Sequence, residues 1–255
     1  MPEWEDAFDS ETIDQTEAMV NDVAIKMIYK FNDSTFRPIF SDLVEWGSSL
    51  TNKSERTMRL QSIYSFMAVF FDNLKSIVTS YATYLLDNSV DVLNNVDLKD
   101  AESIELWSRV LRTLGKCFEY DQDDFWQAPA HFSIIAPTLT AQFMHANSLP
   151  LVQELFPAII ELAAAADSTD HHKELNSAIL KHMRSENAGI RLAAVQCEQA
   201  LSDRLGEEWL SMLPEMLPFI SELQEDDDEA VERETLRWIV KIEAVLGESL
   251  DSMLQ

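Results

Sequence analysis

The densest group of side chains able to bind a metal or move a proton is Asp167, Asp170, His171, His172 and Glu174, with His182 further on. Zinc hydrolases of the HExxH type need two imidazoles on one helical face with a carboxylate base between them. No histidine pair here has that spacing. His171 and His172 are adjacent, so on a helix they diverge by about 100 degrees. The neighbouring Ser168 and Thr169 make the group read as a polar inter-helix turn with an N-cap. A helical hydrolase built on Asp170, His171 and His172 would account for those residues and for nothing else in the chain. His182, seven residues after Leu175 and three after Ile179, reads as a partly buried packing residue.

Nucleophilic chemistry has little to work with. Cys117 and Cys197 stand far apart with no CxxC, which excludes a disulfide framework or zinc ribbon and suggests a reducing compartment. Cys197 lies within an apolar stripe and should be buried, whereas Cys117 follows Gly115 and Lys116 and should be less so. No Walker A, GxSxG or GxGxxG motif occurs, and the five glycines are isolated. The expectation is therefore no catalytic residue, no cofactor, no metal and no small-molecule substrate. Six tryptophans could stack on bases, but stacking platforms need a cationic groove beside them. Trp46, Trp107, Trp126, Trp209 and Trp238 instead stand among Asp and Glu, which favours core filling or partner contact.

Charge sharpens that reading. The 255 residues carry a formal charge of −26, which disfavours direct binding to phosphate backbones. Lys53, Arg56 and Arg59 are the one modest basic cluster, read as a solvated helix start or a local phosphate contact. The acidic run 225–229 reads as a solvated turn, or as a docking site for a basic segment of a partner. The first residues, MPEWEDAFDSE, lack a signal peptide's cationic start, and the uncharged stretch 127–153 is broken by three prolines, so no membrane segment is expected.

Nearly every apolar residue recurs at intervals of three and four, so the fold class is all-α. Val20, Val23, Ala24, Met27, Ile28 and Phe31 share one helical face. Leu60, Ile63, Tyr64, Met67, Phe70 and Phe71 share another, and further stripes run through Leu106 to Leu114, Leu175 to Ile179 and Ile190 to Leu205. The turns at 32–35, 47–54, 167–172, 185–189 and 224–228 are short enough to join antiparallel neighbours. Ser34 or Thr35 could cap the helix carrying Pro38 in its first turn, and Asp100 the helix carrying Trp107. An offset of 41 residues superposes Asn187 on Asp228 and matches Ile190 with Val231, Val195 with Leu236, Leu201 with Ile242 and Gly206 with Gly247. Both glycines fall where a left-handed helix cap is expected.

This unit resembles the HEAT repeat, a two-helix module with a proline-marked first helix and an Asp-x-x-Val-Arg start to the second. Residues 213–247 fit it with Glu232 where Arg is usual, and Asn187, Ile190 and Arg191 fit it with Asn in place of Asp. A more specific resemblance lies in KFNDSTFRPIF, residues 30–40. It is similar to the C-terminal domain of a large HEAT-repeat family, the U3 small nucleolar RNA-associated scaffold of the small-subunit processome. The final stretch from Leu213 resembles that family's end too.

The resemblance implies an α-solenoid of antiparallel HEAT-like hairpins. It also implies a non-enzymatic nuclear and nucleolar scaffold, acting in pre-rRNA transcription and processing towards 18S rRNA. Its partners would be other processome proteins, met through their basic segments, with pre-rRNA or U3 snoRNA contacted mostly indirectly. The expected organisation is an acidic tail at 1–12, a family-specific helical region at 13–147 and HEAT-like repeats at 148–255. Members of the family are many times longer, so the chain is expected to be a C-terminal fragment, a split product or a truncated gene model. A generic HEAT adaptor, such as a transport-receptor or phosphatase-scaffold fragment, would explain the repeats and the acidity but not KFNDSTFRPIF.

Overall fold

The computed structural model describes residues 10–251, 253 and 254, and among them every regular element is helical. The helices are α1 (Ser10–Ile28), α2 (Asp33–Ser48), α3 (Lys53–Leu74), α4 (Thr83–Asn94), α5 (Ala101–Glu119), α6 (Pro129–Ala141), α7 (Phe156–Ala165), α8 (Thr169–His182), α9 (Ala188–Leu205), a single turn α10 (Glu207–Leu210), α11 (Leu213–Leu223) and α12 (Glu229–Leu246). Most of the expected 1–12 tail lies outside the described residues, and α1 begins at Ser10.

Local chemistry sets most helix starts. Asn32, Asn52, Asp100, Asn187 and Asp228 each sit in extended backbone and accept a hydrogen bond from an N–H of the first helical turn, satisfying donors that have no partner within the helix. The Asp100 cap is as expected. The cap of α2 is Asn32 rather than Ser34 or Thr35: its Oδ1 accepts from the Thr35 N–H at 2.9 Å and from both hydroxyls at 2.8 Å. An earlier cap lengthens the helix, so Pro38 lies inside it rather than in its first turn. Gly247 ends α12 in the left-handed region, at φ 73°, ψ 14°. Gly206 ends α9 with φ 58° but ψ −132°, turning the chain straight into α10.

Two rows of helices result. In one, α1 packs on α3, α3 on α5, α5 on α7, α7 on α9 and α9 on α12. In the other, α2 packs on α4, α4 on α6 and α6 on α8, while α2 with α3, α4 with α5, α6 with α7, α8 with α9 and α11 with α12 form packed pairs of successive helices. Each inner helix of the long row thus buries two flanks, which suits the stripes on α3, α5 and α9. Leu60, Tyr64, Met67, Phe70, Val110 and Leu111 are all buried. Adjacent pairs are also pinned by charge. Arg191 on α9 grips Asp226 of the next turn at 2.8 and 2.6 Å, and Arg184 after α8 grips Glu222 on α11 at 2.9 and 2.6 Å.

The KFNDSTFRPIF segment proves to be a fastening. Phe36 and Phe40 are buried against Phe70 of α3 and Tyr81 of the 3-10 segment Lys75–Ala82, with Phe40 and Tyr81 edge to face at 4.8 Å. Arg37 stacks over the Tyr81 ring at 4.6 Å while bonding Asp33, whose Oδ1 also accepts from the Tyr81 hydroxyl at 2.8 Å. Its residue types are thus accounted for by packing, without invoking a ligand.

Candidate interaction surfaces

The histidines are spent on structure. His171 and His172 lie in the first turn of α8, not in a loop. His171 stacks on Phe132 at 4.0 Å, with Nε2 2.7 Å from the Gln127 carbonyl. His172 is buried, with Nε2 2.8 Å from the Ala163 carbonyl. A carbonyl only accepts, so both rings donate from Nε2. His182 stacks on Phe143 at 5.0 Å. The two rings that were adjacent in sequence fasten α8 to different neighbours. Among the described residues no group of three or more His, Cys, Asp or Glu side chains is placed to share a metal ion.

Both cysteines are buried, Cys117 included, because it turns inward on the same face of α5 as Val110 and Leu114. Burial pushes each thiol's pKa up, the wrong direction for a nucleophile. Trp107, Trp126, Trp209 and Trp238 are core residues; Trp46 stays half exposed under the Arg59 guanidinium at 4.4 Å.

One buried group had no sequence signal. Glu198 on α9 is completely buried; Oε2 accepts from Trp209 Nε1 at 2.7 Å and Oε1 has no partner. Desolvation raises its pKa from 4.5 to about 8, the indole N–H opposing the shift. Ser202, one turn on, receives the Trp238 indole N–H at 3.3 Å and donates to the Glu198 carbonyl at 2.8 Å. The site joins α9, α10 and α12.

The charged clusters are less free than their spacing suggests. Lys53 pairs with Asp97 at 3.2 Å, and Arg59 donates to the Trp46 carbonyl at 3.2 Å. Within the acidic run, Asp226 holds Arg191 with its side chain 7% exposed, and Asp228 caps α12. The run is therefore partly an inter-repeat clamp; Glu225, Asp227 and Glu229 remain exposed.

The largest departure concerns α1. Its apolar stripe is divided: Val20, Val23 and Met27 are each more than half exposed, as is Ile13, while Ala24 and Ile28 pack against the core. The helix is attached through Ile25, Ala24 and Ile28 and by polar contacts. Asn21 Nδ2 donates to Ser65 Oγ at 3.3 Å and Arg109 pairs with Glu17 at 3.0 Å. α1 ends the long row, so no helix among the described residues covers its outer face. The hollow between α6 and α8, about 440 Å³, is lined by Ala136, Thr140, Leu175 and Ala178 with Glu174, Ser177, Lys181 and His182.

Comparison with known proteins decides the affiliation. Residues 2–126 match the BP28CT (NUC211) domain. The chain belongs to that family. Outside this match the similarity continues: the chain is 61% identical over 244 residues to U3 small nucleolar RNA-associated protein 10 of Chaetomium globosum, covering 94% of this chain and 14% of that protein. The proteins of the same name from Neurospora crassa and Pyricularia oryzae are 58% and 54% identical over 250 residues, covering 96% and 94% of this chain. The chain thus spans about one seventh of the length of these relatives and corresponds to their C-terminal part. The family recognised from KFNDSTFRPIF is the one that matches, and the described residues contain no helix long and apolar enough to cross a membrane.

Proposed function

We propose that the chain is a non-enzymatic scaffold segment of the small-subunit processome, the U3 snoRNP, acting in the nucleolus in pre-rRNA transcription and processing towards 18S rRNA. The observation that carries this reading is the similarity, along nearly the whole chain, to relatives named for association with U3 small nucleolar RNA. The fold is compatible with it. Helical pairs stacked in rows present long ridges rather than a cleft, which suits multivalent protein contact along an α-solenoid.

In this reading the partners are other processome proteins, docking through basic segments on exposed acids such as Glu225, Asp227 and Glu229, with RNA contacted mostly indirectly. Residues 13–147 form the family-specific part and 148–255 the HEAT-like repeats, with residues 10–12 of the expected tail joining α1. Affinity purification of the tagged chain from its source cells tests the proposal. U3 snoRNA and processome proteins should co-purify, and depletion should lower 18S rRNA relative to large-subunit rRNA. Recovery of import cargo or phosphatase subunits with neither would replace it with the generic adaptor reading.

A further inference from the structure

The structure assigns to the outer face of α12 a docking site for an acidic amphipathic helix of a partner protein. Leu236 and Val240 lie one turn apart on that face, 47% and 63% exposed. Arg233, Arg237 and Lys241, each four residues from the next, run alongside them, and these five residues line one open hollow of about 640 Å³ together with Gln199, Glu232 and Glu234. The 41-residue offset shows what such a face is for. Val195 stands on α9 where Leu236 stands on α12, and Val195 is fully buried, because α9 lies between α7 and α12. The geometry is that of a helix accepting another helix along its length, and on α12 the corresponding place is open.

The rim gives the occupant's chemistry. In the corresponding places on α9 stand Leu192, Gln196 and Ala200, none of them charged; α12 carries three cations there instead. Arg237 bonds Glu234 at 3.0 Å, but its side chain is 64% exposed against 14% for the glutamate, so the guanidinium is the outer layer. A guanidinium has five donors, and the contact with Glu234 uses one of them. Lys241 reaches back to Asp203 at 2.6 Å and Gln199 at 3.2 Å, which holds it at the edge of the hollow. Apolar anchors at i and i+4 flanked by cations fit a helix with leucine-like anchors and carboxylates beside them. A nucleic-acid backbone offers phosphates but no apolar side chains for Leu236 and Val240, whereas an amphipathic helix supplies both. At physiological salt, screening over about 8 Å lets this local arrangement act despite the chain's overall negative charge.

The test uses two labelled synthetic helices with the same leucine pattern, one with glutamate and one with lysine at every other position, and fluorescence anisotropy with the full chain. The glutamate helix should bind more tightly than its lysine twin. Arg233→Glu and Val240→Asp, each checked for native helicity, should each weaken it at least about tenfold, and added salt should weaken it further. Five results would overturn the proposal: no binding of the glutamate helix, tighter binding of the lysine twin, equal binding of both, indifference to the two variants, or displacement by single-stranded RNA. Concentration-dependent self-association of the chain, abolished by Val240→Asp, would assign the face to a second copy and overturn it as well. None of these outcomes depends on processome membership, which the co-purification decides separately.

Discussion

Replacing Glu198 by glutamine should stabilise the protein more and more as the pH rises. In the unfolded chain the carboxyl titrates near its ordinary 4.5, while burial raises it to about 8 in the folded state. An acid with a raised folded pKa contributes fully below its ordinary value, and that contribution is lost as the pH climbs to the folded value. Between those limits each pH unit costs about 1.4 kcal/mol. The destabilisation is therefore about 1 kcal/mol near pH 5 and about 4 to 5 kcal/mol near pH 8.5. Glutamine keeps an acceptor for the Trp209 N–H and carries no charge at any pH. Its second amide position meets the same lack of partners as Oε1, a cost that does not vary with pH. The readout is thus the change in the stability gap between Glu198→Gln and the parent. Urea unfolding at about pH 5 and about pH 8.5 should show that gap widening in the variant's favour by about 4 kcal/mol. A gap constant to within about 1 kcal/mol would mean that the carboxylate is solvated in the folded state, and the argument from burial would fall.

Four further outcomes follow from the packing. Phe40→Ala removes a fully buried ring from the Phe36, Phe70 and Tyr81 cluster and should cost about 3 to 5 kcal/mol in urea unfolding. Arg191→Ala leaves Asp226 without its bidentate partner and should cost about 2 kcal/mol, and adding Asp226→Asn should recover part of it. On α1, Val20→Asp and Met27→Asp should each change stability by no more than about 0.5 kcal/mol, whereas Ile25→Asp, buried against the fold, should lower the thermal midpoint sharply; equal effects would place the stripe inward. Filter binding should find RNA affinity weak and salt-sensitive, as the charge of −26 requires.

The helices and their starts were largely legible because both depend on near neighbours in sequence. An apolar residue every third or fourth place makes α3 and α5 amphipathic whatever surrounds them, and a side-chain acceptor such as Asp100 or Asp228 reaches N–H groups only two or three residues away. The KFNDSTFRPIF segment was legible as a family mark but not as a fastening, since its partners Phe70 and Tyr81 lie far along the chain. Adjacency in sequence grouped His171 with His172, and the turn of the helix aimed them at different carbonyls.

What periodicity cannot supply is the identity of the neighbour across a face. The stripe on α1 and the stripe on α3 look alike in sequence, yet Val20, Val23 and Met27 of the first meet solvent and the second meets the core, because α1 stands at the end of the row. Leu236 and Val195 match in the repeat, and only the presence of a covering helix separates exposed from buried. Glu198 is one acid among many in sequence, and its raised pKa comes from burial in the packed fold, against the opposing hydrogen bond from Trp209. Pattern along the chain determined which faces are apolar and where helices begin. Tertiary packing decided which of those faces are covered and which acid is desolvated, since both are properties of whatever lies opposite.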